Sequence, residues 1–185
     1  MKNLIVAIGA LFLLMTLASL AIGQEASESG GIDFGSFTPS EQGTFVEIKV
    51  NKGLISMAAR ITQDSEPELS EILGGLNSIR VNVMEYAESE ASEIQKRMGS
   101  IRSQLDERQW ERVVTVKDDE ADVVIYARVK AEEALEGLVV TGIESGNAVL
   151  VHVDGRIRPE ELARVGERLN LPPLENLGDL MDQKR

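Results

Sequence analysis

The chain has 185 residues, with 19 basic side chains against 31 acidic ones, a formal charge of −12, one histidine and no cysteine. That charge balance repels phosphate backbones and anionic lipid headgroups, which argues against nucleic-acid and peripheral membrane binding. Without thiols there are no disulfides and no thiolate chemistry, so packing alone must hold the fold.

Residues 1–23 read as an export signal. Lys2 supplies a positive start, the 19 residues from Leu4 to Ile22 carry no charge, and Ala21 and Gly23 place small side chains where a signal peptidase reads. The same run is long enough to span a bilayer, so an inner-membrane anchor through residues 4–22 is the alternative. Cleavage after Gly23 removes one charged residue, Lys2, and leaves 162 residues carrying 18 basic and 31 acidic groups, a charge of −13. The expected location is the periplasm or the extracellular space, with no membrane association once the signal is removed.

Gln24 to Gly43 is rich in Ser, Gly and Glu and reads as a flexible linker. A single domain is expected over 44–170, followed by a loosely ordered tail over 171–185 after Pro172-Pro173. Within the domain, Thr44 to Val50 alternates as a half-buried strand. Two helical pieces follow, one marked by Leu54, Met57, Ala58 and Ile61, the other by Leu69, Ile72, Leu73 and Leu76. The second piece shows a capping box from Ser65 to Glu68, and Gly74-Gly75 offers a left-handed stop. Ser78 to Tyr86 is the next strand. The 27 residues from 51 to 77 between these two strands admit a helical crossover and a parallel pair.

The longest helix is expected over Glu90 to Arg108, with Ala91, Ile94, Met98, Ile101 and Leu105 as its apolar stripe. Four short strands then form a meander: Trp110 to Val116, Asp122 to Val129, Leu138 to Ile143 and Ala148 to Val153, with a hairpin turn at Ser145-Gly146-Asn147. Pro159 opens a final helix carrying Leu162, Val165 and Leu169. The order is β-α-β-α-β-β-β-β-α. It specifies an α+β two-layer sandwich, a mixed and mostly antiparallel sheet of about six strands with helices on one face.

Three stretches then carry a family resemblance: Trp110-Glu111-Arg112-Val113-Val114, Gly137-Leu138-Val139-Val140, and Leu150-Val151-His152-Val153-Asp154-Gly155-Arg156-Ile157-Arg158-Pro159-Glu160-Glu161-Leu162. Together they resemble the family of domain of unknown function 4252 over about 44–169. The resemblance implies a small exported bacterial domain with a two-layer α+β body, no established activity, and a link to envelope signalling or stress. It assigns no catalytic residue.

Signals for chemistry are sparse. His152 and Asp154 share a strand face, and Ser145 is near in sequence, but Ser145 sits in a turn with no nucleophile elbow or oxyanion motif. One imidazole and no thiolate cannot build a transition-metal cage. Asp118, Asp119, Glu120 and Asp122 lack the spacing of a calcium loop and read as a solvated turn. No catalytic residue, metal or cofactor is therefore assigned.

Strand alternation gives one positive expectation. If Ile79, Val81, Val83, Val123, Ile125 and Ala127 face the helices, then Arg80, Asn82, Tyr126, Arg128 and His152 form an exposed polar and aromatic face suited to a partner. The expected function is a non-enzymatic interaction module for an unidentified envelope protein, with self-association at sheet edges as a further form of partnership. The alternative is a small periplasmic hydrolase or a ligand carrier using acidic residues.

Overall fold

A computed structural model describes residues 43–119, 121–131, 134–144, 146–158 and 160–161. The expected signal, most of the expected linker, the body of the expected final helix and the expected tail lie outside these residues. Chain contacts divide the protein into one unit of Ser29–Ile157 and another of Met1–Glu28 with Arg158–Arg185. Of the second unit, the described part is a short turn in which the Glu161 carboxylate accepts hydrogen bonds from the Arg158 amide, 2.8 Å, and from its guanidinium.

The alternation at Val46, Ile48 and Val50 produces the edge strand β1 (Phe45–Asn51). Its last residue caps the helix that follows: the Asn51 side chain accepts from the Leu54 amide at 3.1 Å and starts α1 (Lys52–Thr62) without a loop. Helix α2 (Pro67–Gly75) folds back on α1, and the Ser70 hydroxyl donates to the Ala59 carbonyl at 2.8 Å. The expected capping box at Ser65 is absent. Pro67 forces the preceding Glu66 out of helical geometry (φ −141°, ψ 71°), so the helix begins at Pro67, too late for Ser65 to reach its amides.

Strand β2 (Leu76–Glu85) runs antiparallel to β1, with Val46 opposite Val83 and Val50 opposite Ile79. The parallel crossover admitted by the spacing is thus not made. A pair of helices returns the chain to the end of the sheet it left, whereas a single crossover helix would carry it to the other end. Gly75 also acts differently from expectation. Its φ is not positive; instead, a Cβ there would sit 2.4 Å from the Arg156 carbonyl oxygen, so the close approach of two backbones requires glycine.

Helix α3 (Ala91–Glu107) is entered through a 3-10 turn in which the Glu90 carboxylate accepts from the Ala87 amide at 2.9 Å. It leads to the far edge of the sheet. There β3 (Glu111–Lys117), β4 (Ala121–Ala131), β5 (Ala134–Glu144) and β6 (Asn147–Ile157) return as a meander, and β6 docks on β2. The order across the sheet is β1-β2-β6-β5-β4-β3, six strands, every neighbouring pair antiparallel.

Helix α3 buries Ile94, Met98, Ile101 and Leu105, four of the five residues of the predicted stripe, against Met84, Val124, Tyr126, Val139, Ala148, Leu150 and Trp110, while Ala91 is half-buried. This corrects the assignment of faces, because the helix lies on the side of Tyr126, the side expected to meet water. The opposite face is buried as well, at Val81, Val123, Ile125, Ala127 and Val149. The residues explain it: Val123-Val124-Ile125-Tyr126-Ala127 and Ala148-Val149-Leu150-Val151 are continuous apolar runs, the signature of a sheet covered on both sides.

Candidate functional site

Strand register brings the five predicted residues onto one face. Arg80 on β2 stands opposite His152 on β6, His152 opposite Val139 on β5, and Val139 opposite Tyr126 on β4. Asn82 and Arg128 lie two residues along their own strands and share the same side. The face is not exposed as expected. Tyr126 is fully buried, Asn82 is 3% exposed and His152 8%, whereas the Arg80 and Arg128 side chains remain 24% and 27% exposed.

Tyr126 belongs to the core under α3, where the Arg112 guanidinium lies 5.5 Å from its ring centre. Burial raises its phenol pKa above the ordinary value. The other four residues form a polar strip that runs along β2 and β6 and reaches β4 through Arg128, and it borders that core directly, since Asn82 stands opposite Leu150 and His152 meets Trp110.

Each charge in the strip is positioned by a neighbour. Arg80 donates to Glu47 at 3.2 Å, and Glu47 also pairs with Lys49 at 3.2 Å. Burial raises the Glu47 carboxyl, but the bonds from Lys49 and Arg80 outweigh it and set the group below its usual pKa. Arg128 reaches across the sheet to Glu136 at 3.6 Å and Asp154 at 3.8 Å, while Asp154 accepts from the Asn77 side-chain Nδ2 at 3.1 Å.

Trp110 completes the corner, a residue that the alternation argument could not place on this face. The chain turns at Gln109 (φ 62°), the Trp110 amide donates to the Leu105 carbonyl at 3.1 Å, and the indole lies over Gly137. A Cβ on Gly137 would stand 2.9 Å from that ring. The Arg128 guanidinium stacks 5.0 Å from the indole centre, and the His152 ring meets it edge-on at 6.0 Å. The His152 pKa falls to about 4, first because burial disfavours the charged ring, and further because Arg128 and Arg80 repel a proton that Asp154 attracts. The imidazole is therefore neutral near pH 7.

Trp110, Gly137, His152 and Asp154 come from the three stretches that carried the family resemblance, and here they converge. A family model for a domain of unknown function (DUF4252) matches residues 37–165. The chain belongs to the DUF4252 family. That membership covers every described strand and helix of Ser29–Ile157, and it brings no assigned activity. Comparison with curated proteins and with solved structures gave no match.

A concavity of this DUF4252 domain lies between α3 and the β3–β4 turn. About 330 Å³ in volume, it has Met98 and Ile143 among its lining residues, together with Arg102, Asp118, Asp119 and Asp122. Its polar groups are largely engaged in structure. Arg102 donates to Thr141 at 2.9 Å and to the Asp122 carboxylate at 2.8 Å, and Asp118 accepts from the Ala121 amide at 2.8 Å. This supports the solvated-turn reading of the acidic run. Ser145 and Glu120 lie outside the described residues, and among those described no three His, Asp or Glu side chains converge as metal ligands.

Proposed function

We propose that this protein is an exported envelope module that binds another protein through the strip of Arg80, Asn82, His152 and Arg128, in the service of envelope signalling or stress. The apolar leader over residues 4–22 supports export. The observation that carries the interaction role is the build of the strip: two half-buried arginines, one stacked on a buried tryptophan, flank polar groups sunk in the sheet. Rigid aromatic and arginine anchors of this kind dominate binding energy at protein interfaces.

The test is a photo-crosslinker at Lys49, which is 61% exposed and pairs in register with Arg80, carried by the full chain in its native envelope. A discrete adduct at Lys49 is expected, lost on Arg80→Ala with Arg128→Ala, and missing from a crosslinker at Ser103 on the outer side of α3. Equal adducts at both positions would overturn the reading. For export, the mature chain is expected to begin at Gln24 or Ile22 on N-terminal sequencing, and a start at Met1 would show an anchored form.

A further inference from the structure

We infer that β1 is a self-recognition edge, along which two copies of this chain join their sheets antiparallel about a two-fold axis at Ile48. The occupant of the edge is a second copy, and the inference does not rest on the docking role of the strip.

Of the two edges of the sheet, β1 is the one left open. Among the described residues, neither β1 nor β3 has a neighbour on its outer side. Strand β3 carries a register shift between Arg112 and Val114, the kind of irregularity that bends an edge away from chance pairing. Strand β1 pairs with β2 from Phe45 to Asn51 without a shift, so its outer edge is regular. That edge is also accessible: Val46, Glu47, Lys49 and Asn51 are exposed, and Val46 is 42% exposed although it is apolar.

Backbone direction limits the ways in which two such edges can meet. The Thr44 carbonyl accepts from the Glu85 amide at 2.9 Å, so Thr44, Val46, Ile48 and Val50 turn their peptide groups toward β2, and Phe45, Glu47, Lys49 and Asn51 turn theirs outward. Outward residues must face outward residues, which places the two-fold axis at a residue of β1. An axis at Glu47 sets that carboxylate against its own copy, and an axis at Lys49 does the same for the ammonium; like charges directly opposite are destabilising. Axes at Val46 or Val50 pair only one end of the strand. At Ile48 the strand is complementary to itself: Glu47 meets Lys49 of the second copy on both sides of the axis, Val46 meets Val50, and Ile48 meets Ile48. Each Glu47–Lys49 pair then exchanges two main-chain hydrogen bonds.

The charges present favour this exchange. Lys49 pairs with Glu47 of its own strand at 3.2 Å. Those two residues stand two positions apart, about 6.7 Å between Cα atoms at strand rise. In the joined sheet Glu47 of the second copy lies directly opposite, with Cα atoms about 5.5 Å apart. The Lys49 side chain is 61% exposed and keeps its own carboxylate while gaining the nearer one. Arg80 holds Glu47 from the other side at 3.2 Å, so each carboxylate lies between cations.

Sedimentation velocity of the full mature chain tests the inference. An edge this short buries little area, so monomer is expected to give way to dimer between about 10 µM and about 1 mM. Glu47→Lys and Lys49→Glu should each weaken self-association at least tenfold, because each sets like charges opposite. Mixed in equal amounts, the two variants should form a heterodimer as readily as the parent forms its dimer, since every facing pair then has opposite signs. That recovery also shows that both variants fold. The chain has no cysteine, so Ile48→Cys reports a single contact. Facing Cα atoms at such a position stand about 4.5 Å apart, within disulfide reach. Oxidation should link Ile48→Cys into a dimer at least tenfold faster than Val129→Cys, an exposed position on β4. A monomer at the top of the concentration range, no weakening in either charge variant, no recovery on mixing, or equal disulfide rates would overturn the inference. So would loss of the dimer in Met57→Lys with Ile61→Lys while Lys49→Glu stays dimeric, which would move self-association to the exposed side of α1. In the crosslinking experiment at Lys49, a self-adduct has twice the chain mass and forms in purified protein, which separates it from an envelope partner bound at the strip.

Discussion

At the scale of single residues, the one histidine converts burial into pH sensitivity. The folded pKa of His152 is about 4 and its ordinary value is 6.5, so the unfolded chain takes up a proton first as pH falls. Stability from this site is complete above pH 6.5 and is lost between 6.5 and 4, by about 3 kcal/mol in all at the usual 1.36 kcal/mol per pKa unit. Carboxylates titrate in the lower part of the same window, and a variant isolates the histidine. Urea unfolding of His152→Gln should lose about 2–3 kcal/mol less than the parent between pH 7.5 and pH 4.5. Identical losses in the two proteins would mean that His152 is not buried neutral.

At the scale of elements, adjacent glycines at the end of α2 are predicted to respond with opposite signs. A Cβ on Gly74 meets nothing within 4 Å, so Gly74→Ala should stabilise by up to about 1 kcal/mol through helix propensity. At Gly75 the same methyl strikes the Arg156 carbonyl at 2.4 Å, and Gly75→Ala should cost about 2 kcal/mol or more by forcing β6 away from α2. Denaturant midpoints of the two variants check this, and shifts in the same direction would refute the close approach. The sequence suggests a helix stop at this pair but cannot separate the two roles, since the difference lies in a strand 81 residues later. The α3 stripe was legible because its period is local. The capping box failed for an equally local reason, as Pro67 overrides Ser65. Of the candidate site, the shared face of Arg80, Asn82, Tyr126, Arg128 and His152 followed from period-two alternation alone. Alternation does not say what lies above a face, and so Tyr126 was placed in water when α3 covers it. Trp110 was expected to open the strand Trp110 to Val116, but the strand begins at Glu111, so alternation could not place the indole.

At the scale of the whole molecule, chain order and sheet order part company at one seam. Helix α3 takes the chain from β2, second in the sheet, to β3 at the far edge, and the gap is filled when β6 arrives last between β2 and β5. The seam therefore joins the first half of the chain to its end, and it bears on the strip, since Arg80 and Asn82 sit on one side of it and His152 and Asp154 on the other. Closing it requires long-range pairing, which is slow to form, but once formed β6 is hydrogen-bonded on both edges and buried at Ala148, Val149, Leu150 and Val151. Among the described residues, edge strands β1 and β3 are paired on one side only and hold several exposed residues. Native-state hydrogen exchange should thus find the slowest amides in β5 and β6, at Val139, Val140, Leu150 and Val151, with opening energies near the global value. Amides of β1 and β3 should exchange through smaller openings, with protection at least tenfold lower. If β6 exchanged as fast as β1, the seam would be a dissociable joint rather than the centre of the fold, and the two halves of the strip would not be held in register for a ligand.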